Sequence, residues 1–288
     1  MMKRCFFMFA AAGVLFCSAA QAEVLDLRNL VATEATLAHH YVFEGDASSR
    51  LEDLAGDLDL SEMAYGTGST TGIVYEAGWS AGNTAFTPQR LGSGITGGAA
   101  LIGSTIDIGS ALTIEALVKT DTVAGGGNAF AVVAGKWPNR GYFLYENDGN
   151  QLGAWVGNGS QTFLDTTVGD WYYVAAVYSH DGANTSIDTY TANLSQGDDA
   201  LTHTHLAQSG IFGSGPQHLG IGAFATGTGT LQEAFAGSMD EVAIYDSALC
   251  ATTIEGHFDA LMIPEPSAFV LLLGLVMGGV VASLVRRP

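Results

Sequence analysis

Short apolar runs, broken again and again by Gly, Asn, Asp, Ser and Thr, fill most of the sequence between Glu23 and Ile263. That punctuation suits strands joined by turns and argues against a regular alternation of helices and strands. The clearest run is Leu112-Thr113-Ile114-Glu115-Ala116-Leu117-Val118-Lys119. Leu112, Ile114, Ala116 and Val118 fall on one face, and Thr113, Glu115 and Lys119 fall on the other. Further strands are expected at 38–43, 99–102, 130–134, 141–145, 152–156, 171–178, 186–192, 218–221 and 237–245. The run from Trp171 to Tyr178 is apolar on both faces, which fits a central strand covered on both sides. Turns are expected at Asn147-Asp148-Gly149-Asn150 and Asp181-Gly182-Ala183-Asn184, where the residues tolerate positive φ. One helix is expected from Ala251 to Leu261, capped by Thr252 or Thr253, with Ile254, Phe258 and Leu261 on one face. The stretch 66–98, rich in Gly and Thr, reads as surface connections with one or two weak strands. No repeat of solenoid or propeller length occurs.

The two ends read differently from the body. Lys3 and Arg4 precede an apolar run from Cys5 to Ala20, and Ala20-Gln21-Ala22 supplies a small-x-small cleavage pattern. Residues 1–22 are therefore expected to be a signal peptide, cut before Glu23. An uncleaved anchor is the alternative, and a lipoprotein site at Cys17 is disfavoured by the bulky Phe16 before it. At the other end, Pro264-Glu265-Pro266 precedes an uncharged stretch from Ala268 to Val285 and then Arg286-Arg287. Such a stretch, at ~1.5 Å per residue, approaches the thickness of a bilayer core. This ordering resembles the PEP-CTERM sorting signal of Gram-negative bacteria. The resemblance implies a transmembrane helix over 268–285, processing near Pro264, Glu265 and Pro266 by an exosortase-type sorting protease, transient anchoring in the inner membrane, and delivery to the cell surface or extracellular matrix. A plain tail anchor is the alternative. The expected organisation is signal peptide 1–22, lead-in 23–36, one β domain over 37–262, and sorting signal 263–288.

Between Glu23 and Ile263 stand 28 acidic and 6 basic side chains, a net of −22. A surface of that sign repels nucleic acid and anionic lipid, so no nucleic-acid partner is expected. Of the three cysteines, only Cys250 survives removal of the leader, so no internal disulfide and no cysteine-based metal site is available to the body. The domain must be held by its core, and a chain of this length can bury enough surface to do so.

Several segments together are similar to the concanavalin A-like jelly roll in its laminin-G-like form. His40-Tyr41-Val42-Phe43-Glu44-Gly45 resembles its first strand, and Ala99-Ala100-Leu101-Ile102 with Thr105-Ile106-Asp107-Ile108 its next pair. The Leu112–Lys119 strand carries Leu117 where the family usually has Trp. Gly169-Asp170-Trp171-Tyr172-Tyr173-Val174-Ala175 resembles an inner strand, and the stretch from Phe235 to Leu249 resembles the closing one. The resemblance implies an all-β, two-sheet antiparallel sandwich over residues 37–262. It also implies a structural Ca2+ near the junction of the first and last strands. Carried over by position, Glu44 and Asp240 are its first candidate ligands, with Asp46 and Asp53 behind them. The alternatives are a turn-capping role for Asp240 and a solvated acidic face for the others.

Catalysis has less support in the sequence. Retaining glucanases of this fold carry a Glu-x-Asp-x-(x)-Glu strand, which is absent here. Asp240 and Glu241 are adjacent, and neighbours on a regular strand point to opposite faces. No nucleophile elbow, phosphate loop or dinucleotide fingerprint appears. The expectation is therefore a non-enzymatic protein. His203-Thr204-His205 would place two imidazoles on one face, although further metal ligands are not identifiable. Trp and Tyr rings can stack on sugars. Trp137, Tyr142 and Trp155 are the candidate ligand-binding residues, with Trp79 and Tyr145 also near turns; core burial is the alternative for each, and Trp171 reads as core. The function expected is an exported surface or matrix protein binding carbohydrate, an extracellular polysaccharide or glycan, or another extracellular partner. A structural shell without a ligand and a divergent glycoside hydrolase are the alternatives.

Overall fold

The computed structural model describes residues 24–262, apart from short stretches at 48, 66–69, 81, 91–97, 106–108, 122–129, 137–140, 148, 157–158, 209–217 and 227–229. Two antiparallel eight-stranded sheets make up the body. Sheet A runs β14 (Thr202–Gln208), β13 (Thr185–Asn193), β12 (Trp171–His180), β7 (Ala111–Thr120), β18 (Gly237–Tyr245), β4 (Thr84–Thr87) and β3 (Val74–Ala77), with β1 (Leu37–Tyr41) also paired to β18. Sheet B runs β11 (Gly159–Asp165), β10 (Gln151–Val156), β9 (Tyr142–Asn147), β8 (Phe130–Lys136), β15 (His218–Ile221), β6 (Gly98–Thr105) and β2 (Ser61–Tyr65), with β5 (Gln89–Arg90) on β6. A small ribbon, β16 (Phe224–Thr226) and β17 (Thr230–Gln232), follows β15. The all-β sandwich expected from the sequence is the fold observed.

Alternation decides what lies between the sheets. Leu112, Ile114, Ala116 and Val118 of β7 and Tyr172, Val174, Ala176 and Tyr178 of β12 face sheet B. Tyr142 and Leu144 of β9 and Leu152, Ala154 and Val156 of β10 face back. Each Leu, Ile or Val among them contributes about 1.5–3 kcal/mol when fully withdrawn from water. The opposite faces of β7 and β12 are buried too: Leu117, Trp171, Tyr173, Ala175 and Val177 form a second apolar layer. Two helices cover it. A helix over residues 24–31 (α1) contributes Val24, Leu27 and Val31, and α2 (Ala251–Met262) contributes Ile254, Phe258 and Leu261. The lead-in of the sequence reading is thus a packed helix. At α2 the expected threonine cap gives way to Cys250, whose carbonyl accepts from Thr253 and Ile254. The Cys250 thiol is lowered to about 7 by the hydroxyls of Thr252 and Thr253.

Beneath α2, Glu115 is buried on the face of β7 that the sequence pattern left polar. Its carboxylate accepts from Tyr173 Oη at 2.8 Å, Tyr245 Oη at 2.9 Å and His257 Nδ1 at 2.9 Å. Burial would raise this carboxyl, but His257 and the two phenols outweigh it and hold it below the usual range. The His257 imidazole is raised in turn by Glu115 and Glu34, against the opposing effect of burial. Polar groups placed in an apolar layer cost energy unless paired, and here the pairing fixes helix to sheet.

Candidate functional site: the outward face of sheet B

The β9–β10 turn is made by Asn147, Gly149 and Asn150, with Asn150 at φ 54° and Asn147 Oδ1 accepting from Gly149 and Gln151. With Tyr142 and Leu144 pointed inward, period two sends Phe143 and Tyr145 outward. Trp155 follows on β10, and Phe224 arrives from the ribbon to join them. Phe143 and Trp155 stack with centroids 5.3 Å apart at 13°, and Phe224 meets Phe143 edge-on at 4.4 Å. Gly153 lies across from Tyr145 in the ladder, and a Cβ there would come within 2.3 Å of the tyrosine Cζ. A bare glycine is what lets that ring lie flat against β10. Phe143 and Tyr145 are sealed, while Trp155 is half-buried and keeps part of its ring open.

A polar row closes one end of this face. Asn147 Nδ2 donates to Gln151 Oε1 at 3.0 Å, and Gln151 Nε2 donates to Asp165 Oδ1 at 2.6 Å. Two residues along a strand span about 7 Å. Trp155, the half-open ring of this face, stands four residues from Gln151 along β10, about 13 Å and thus two to three sugar rings from the amide and carboxylate groups. Such a surface can take the apolar face of one sugar at Trp155 while hydroxyls further along an oligosaccharide reach the polar row. Trp137 lies outside the described residues. Tyr142, grouped with the ligand-binding candidates by sequence, points instead into the core, where it meets Tyr178 at 6.1 Å. Phe143 was overlooked, although the alternation of Tyr142 with Phe143 already assigned those two rings to opposite faces.

All four acidic candidates are already engaged. Asp53 accepts from the amides of His40, Ala55, Gly56 and Leu58 and from His39 Nδ1 at 2.6 Å. Burial would raise its carboxyl, but these donors hold it well below the usual range. Asp46 caps its own turn, accepting from Ser49. Glu44 pairs with Arg28. Asp240 is fully buried and accepts from Asn83 Nδ2 and from the Glu241 amide. Its carboxyl is pushed well above the usual range by burial and the neighbouring Glu241. Asp240 and Glu241 do not obey the strand rule expected of them. A bulge between Asp240 and Ala243, with Glu241 at φ 50°, buries both. Calcium needs six to eight oxygens wrapped around one point. Glu44 and Asp240 belong to one network through Arg28 and Asn83, already joined by a guanidinium, while Asp46 and Asp53 are held by turn donors elsewhere, so the four do not offer calcium that shell. Among the described residues, no group of three or more His, Cys, Asp or Glu side chains is arranged to hold a metal. His203 and His205 share Asp188 Oδ1 at 2.8 and 2.9 Å on an exposed edge of sheet A.

Two packed antiparallel sheets in this order define a concanavalin A-like β-sandwich. The chain belongs to the concanavalin A-like lectin/glucanases superfamily, whose family model matches residues 93–255. No curated protein matches it. A similar solved structure is domain 4 of AbnA, a GH43 extracellular arabinanase from Geobacillus stearothermophilus, in complex with arabinotriose. It has 18% identity and a TM-score of 0.50, over 78% of this chain and 98% of that one. A Trypanosoma rangeli sialidase is 13% identical with a TM-score of 0.43, over 78% of this chain and 32% of that one. The CBM40 of a Ruminococcus gnavus IT-sialidase is 15% identical with a TM-score of 0.37, over 54% of this chain and 96% of that one.

The family corrects one expectation. The expectation of a non-enzymatic protein rests on missing motifs, the contiguous acidic strand of retaining glucanases first among them. The superfamily includes glucanases as well as lectins, and the arabinanase domain shares the fold. A fold of this kind hosts binding and hydrolysis alike, and carboxylates for hydrolysis can come from separate strands. The missing motif therefore does not remove catalysis. Residues 1–22, expected to be a signal peptide, and residues 263–288, expected to be a sorting signal with a helix over 268–285, lie outside the described residues. Among the described residues no helix is long and apolar enough to cross a membrane.

Proposed function

We propose that this protein binds carbohydrate on the outward face of sheet B, and that it does so outside the cytoplasm. The observation that carries the reading is the Phe143–Trp155 stack beside the Asn147–Gln151–Asp165 row. The half-open Trp155 ring takes the apolar face of one sugar, and the amides and carboxylate take hydroxyls of a sugar about two to three units along the same chain. The family and the arabinanase domain support a glycan as the ligand class. The leader and the Pro264-Glu265-Pro266 tail support export, a transient stay in the inner membrane, and processing by an exosortase-type protease. The ligand is then an extracellular polysaccharide of the cell surface or matrix. Calorimetric titration of the protein with arabino-oligosaccharides and β-glucan oligosaccharides tests the site. Trp155→Ala is expected to weaken binding roughly tenfold while leaving the fold intact. Equal affinity in wild type and variant would remove the site, and release of reducing ends from the same sugars would mark hydrolysis.

A further inference from the structure

The junction of the first and last strands, where the family resemblance implies calcium, already holds a cation of the chain's own. Arg28, carried by α1, reaches into it. Its Nη2 donates to Glu44 Oε1 at 2.7 Å and to Asn83 Oδ1 at 3.0 Å, and its Nε donates to Glu241 Oε1 at 2.5 Å. The second Glu241 oxygen stands 3.3 Å from His40 Nε2. The Asn83 amide links the guanidinium to buried Asp240 through its Nδ2. The backbone is bent to suit: Phe43 at φ 54° and Glu241 at φ 50° lie in the left-handed region, which non-glycine residues occupy at a cost. They adjoin the carboxylates that receive Arg28. Carboxylates drawn together this way repel unless a cation joins them. A planar guanidinium with five donors can satisfy acceptors on several segments at once. The helix carrying it is seated by Val24, Leu27 and Val31 against sheet A.

We propose that Arg28 is the structural cation of this junction in place of a divalent metal, and that α1 is a latch which completes the domain. It joins three segments far apart in the chain, at Glu44, Asn83 and Glu241. The fold is then independent of calcium but dependent on residues 24–31, upstream of the β domain that the sequence pattern delimits.

Thermal unfolding of the full-length protein tests this. The wild type is expected to melt at the same temperature in excess calcium and in excess EDTA. Arg28→Met is expected to lower the midpoint by roughly 4–12 °C, as loss of one partner from a part-buried charge cluster does. Arg28→Lys is expected to recover only part of that, because an ammonium cannot reproduce the fork. A saturable, EDTA-reversible rise of the wild-type midpoint with calcium would overturn the proposal. So would an Arg28→Met protein as stable as wild type. Should Arg28→Met fail to accumulate, Arg28→Lys and the wild-type calcium titration decide the question.

Discussion

Glu115 shows how much a single residue can owe to its surroundings. In sequence it is the polar member of an alternating strand. In the folded chain it is a buried carboxyl beneath a helix, held by two phenols and an imidazole. Removing one partner of such a pair costs about 3–5 kcal/mol, which is the loss expected for Glu115→Gln in urea unfolding. The pair also sets a pH window. Glu115 is lowered on folding, so its contribution is present above about pH 4.3, its unfolded value, and fades as pH falls through the folded one. His257 is raised on folding, so its contribution is full below about pH 6.5 and fades as pH climbs through the folded value. The stability gap between wild type and His257→Gln should therefore be widest between those limits and narrow toward alkaline pH. A gap that stays constant from pH 5 to pH 9 would mean that His257 acts by packing alone. The burial of Glu115 was not legible in the sequence, because an exposed and a covered polar residue look identical in an alternating strand.

At the scale of elements, β12 was the most legible part of the chain. Apolar residues on both of its faces predicted a covered central strand, and it lies between β13 and β7 with a packed layer on each side. The weak or missed strands have a common cause. β3, β4 and β5 are two to four residues long, in a segment where Gly and Thr blur the period. Edge strands such as β14 bury one side chain in a largely exposed run, so little apolar pattern marks them. The covering of sheet A rests on α1 and α2 together. Phe258 lies on Tyr173 with centroids 5.6 Å apart. Phe258→Ala should cost about 3–5 kcal/mol, read as a lower denaturant midpoint. It should also raise hydrogen exchange in α2 ahead of β7 and β12. Uniform exchange across α2 and those strands would show that the helix opens only with the whole domain.

For the whole molecule, charge and the absence of cross-links matter most. The body carries a net of −22, from 28 acidic and 6 basic residues, and it has one cysteine. Self-repulsion opposes the compact state, and salt screens it beyond about 10 Å at 0.1 M. Raising sodium chloride from low to high concentration should therefore raise the midpoint of unfolding, and reducing agent should leave it unchanged. A midpoint that falls with salt would mean that attractive pairs such as Arg28 with Glu44 outweigh the general repulsion. The sequence by itself determined the two-sheet class, the central strands and the acidic, uncross-linked surface, because these follow from local period and from counting. Only the tertiary structure decided which aromatics face outward together, and that residues 28, 44, 83 and 241 meet at one guanidinium. Such meetings depend on register, on a bulge at Asp240–Glu241 and on the docking of a distant helix, and none of these leaves a local period to read.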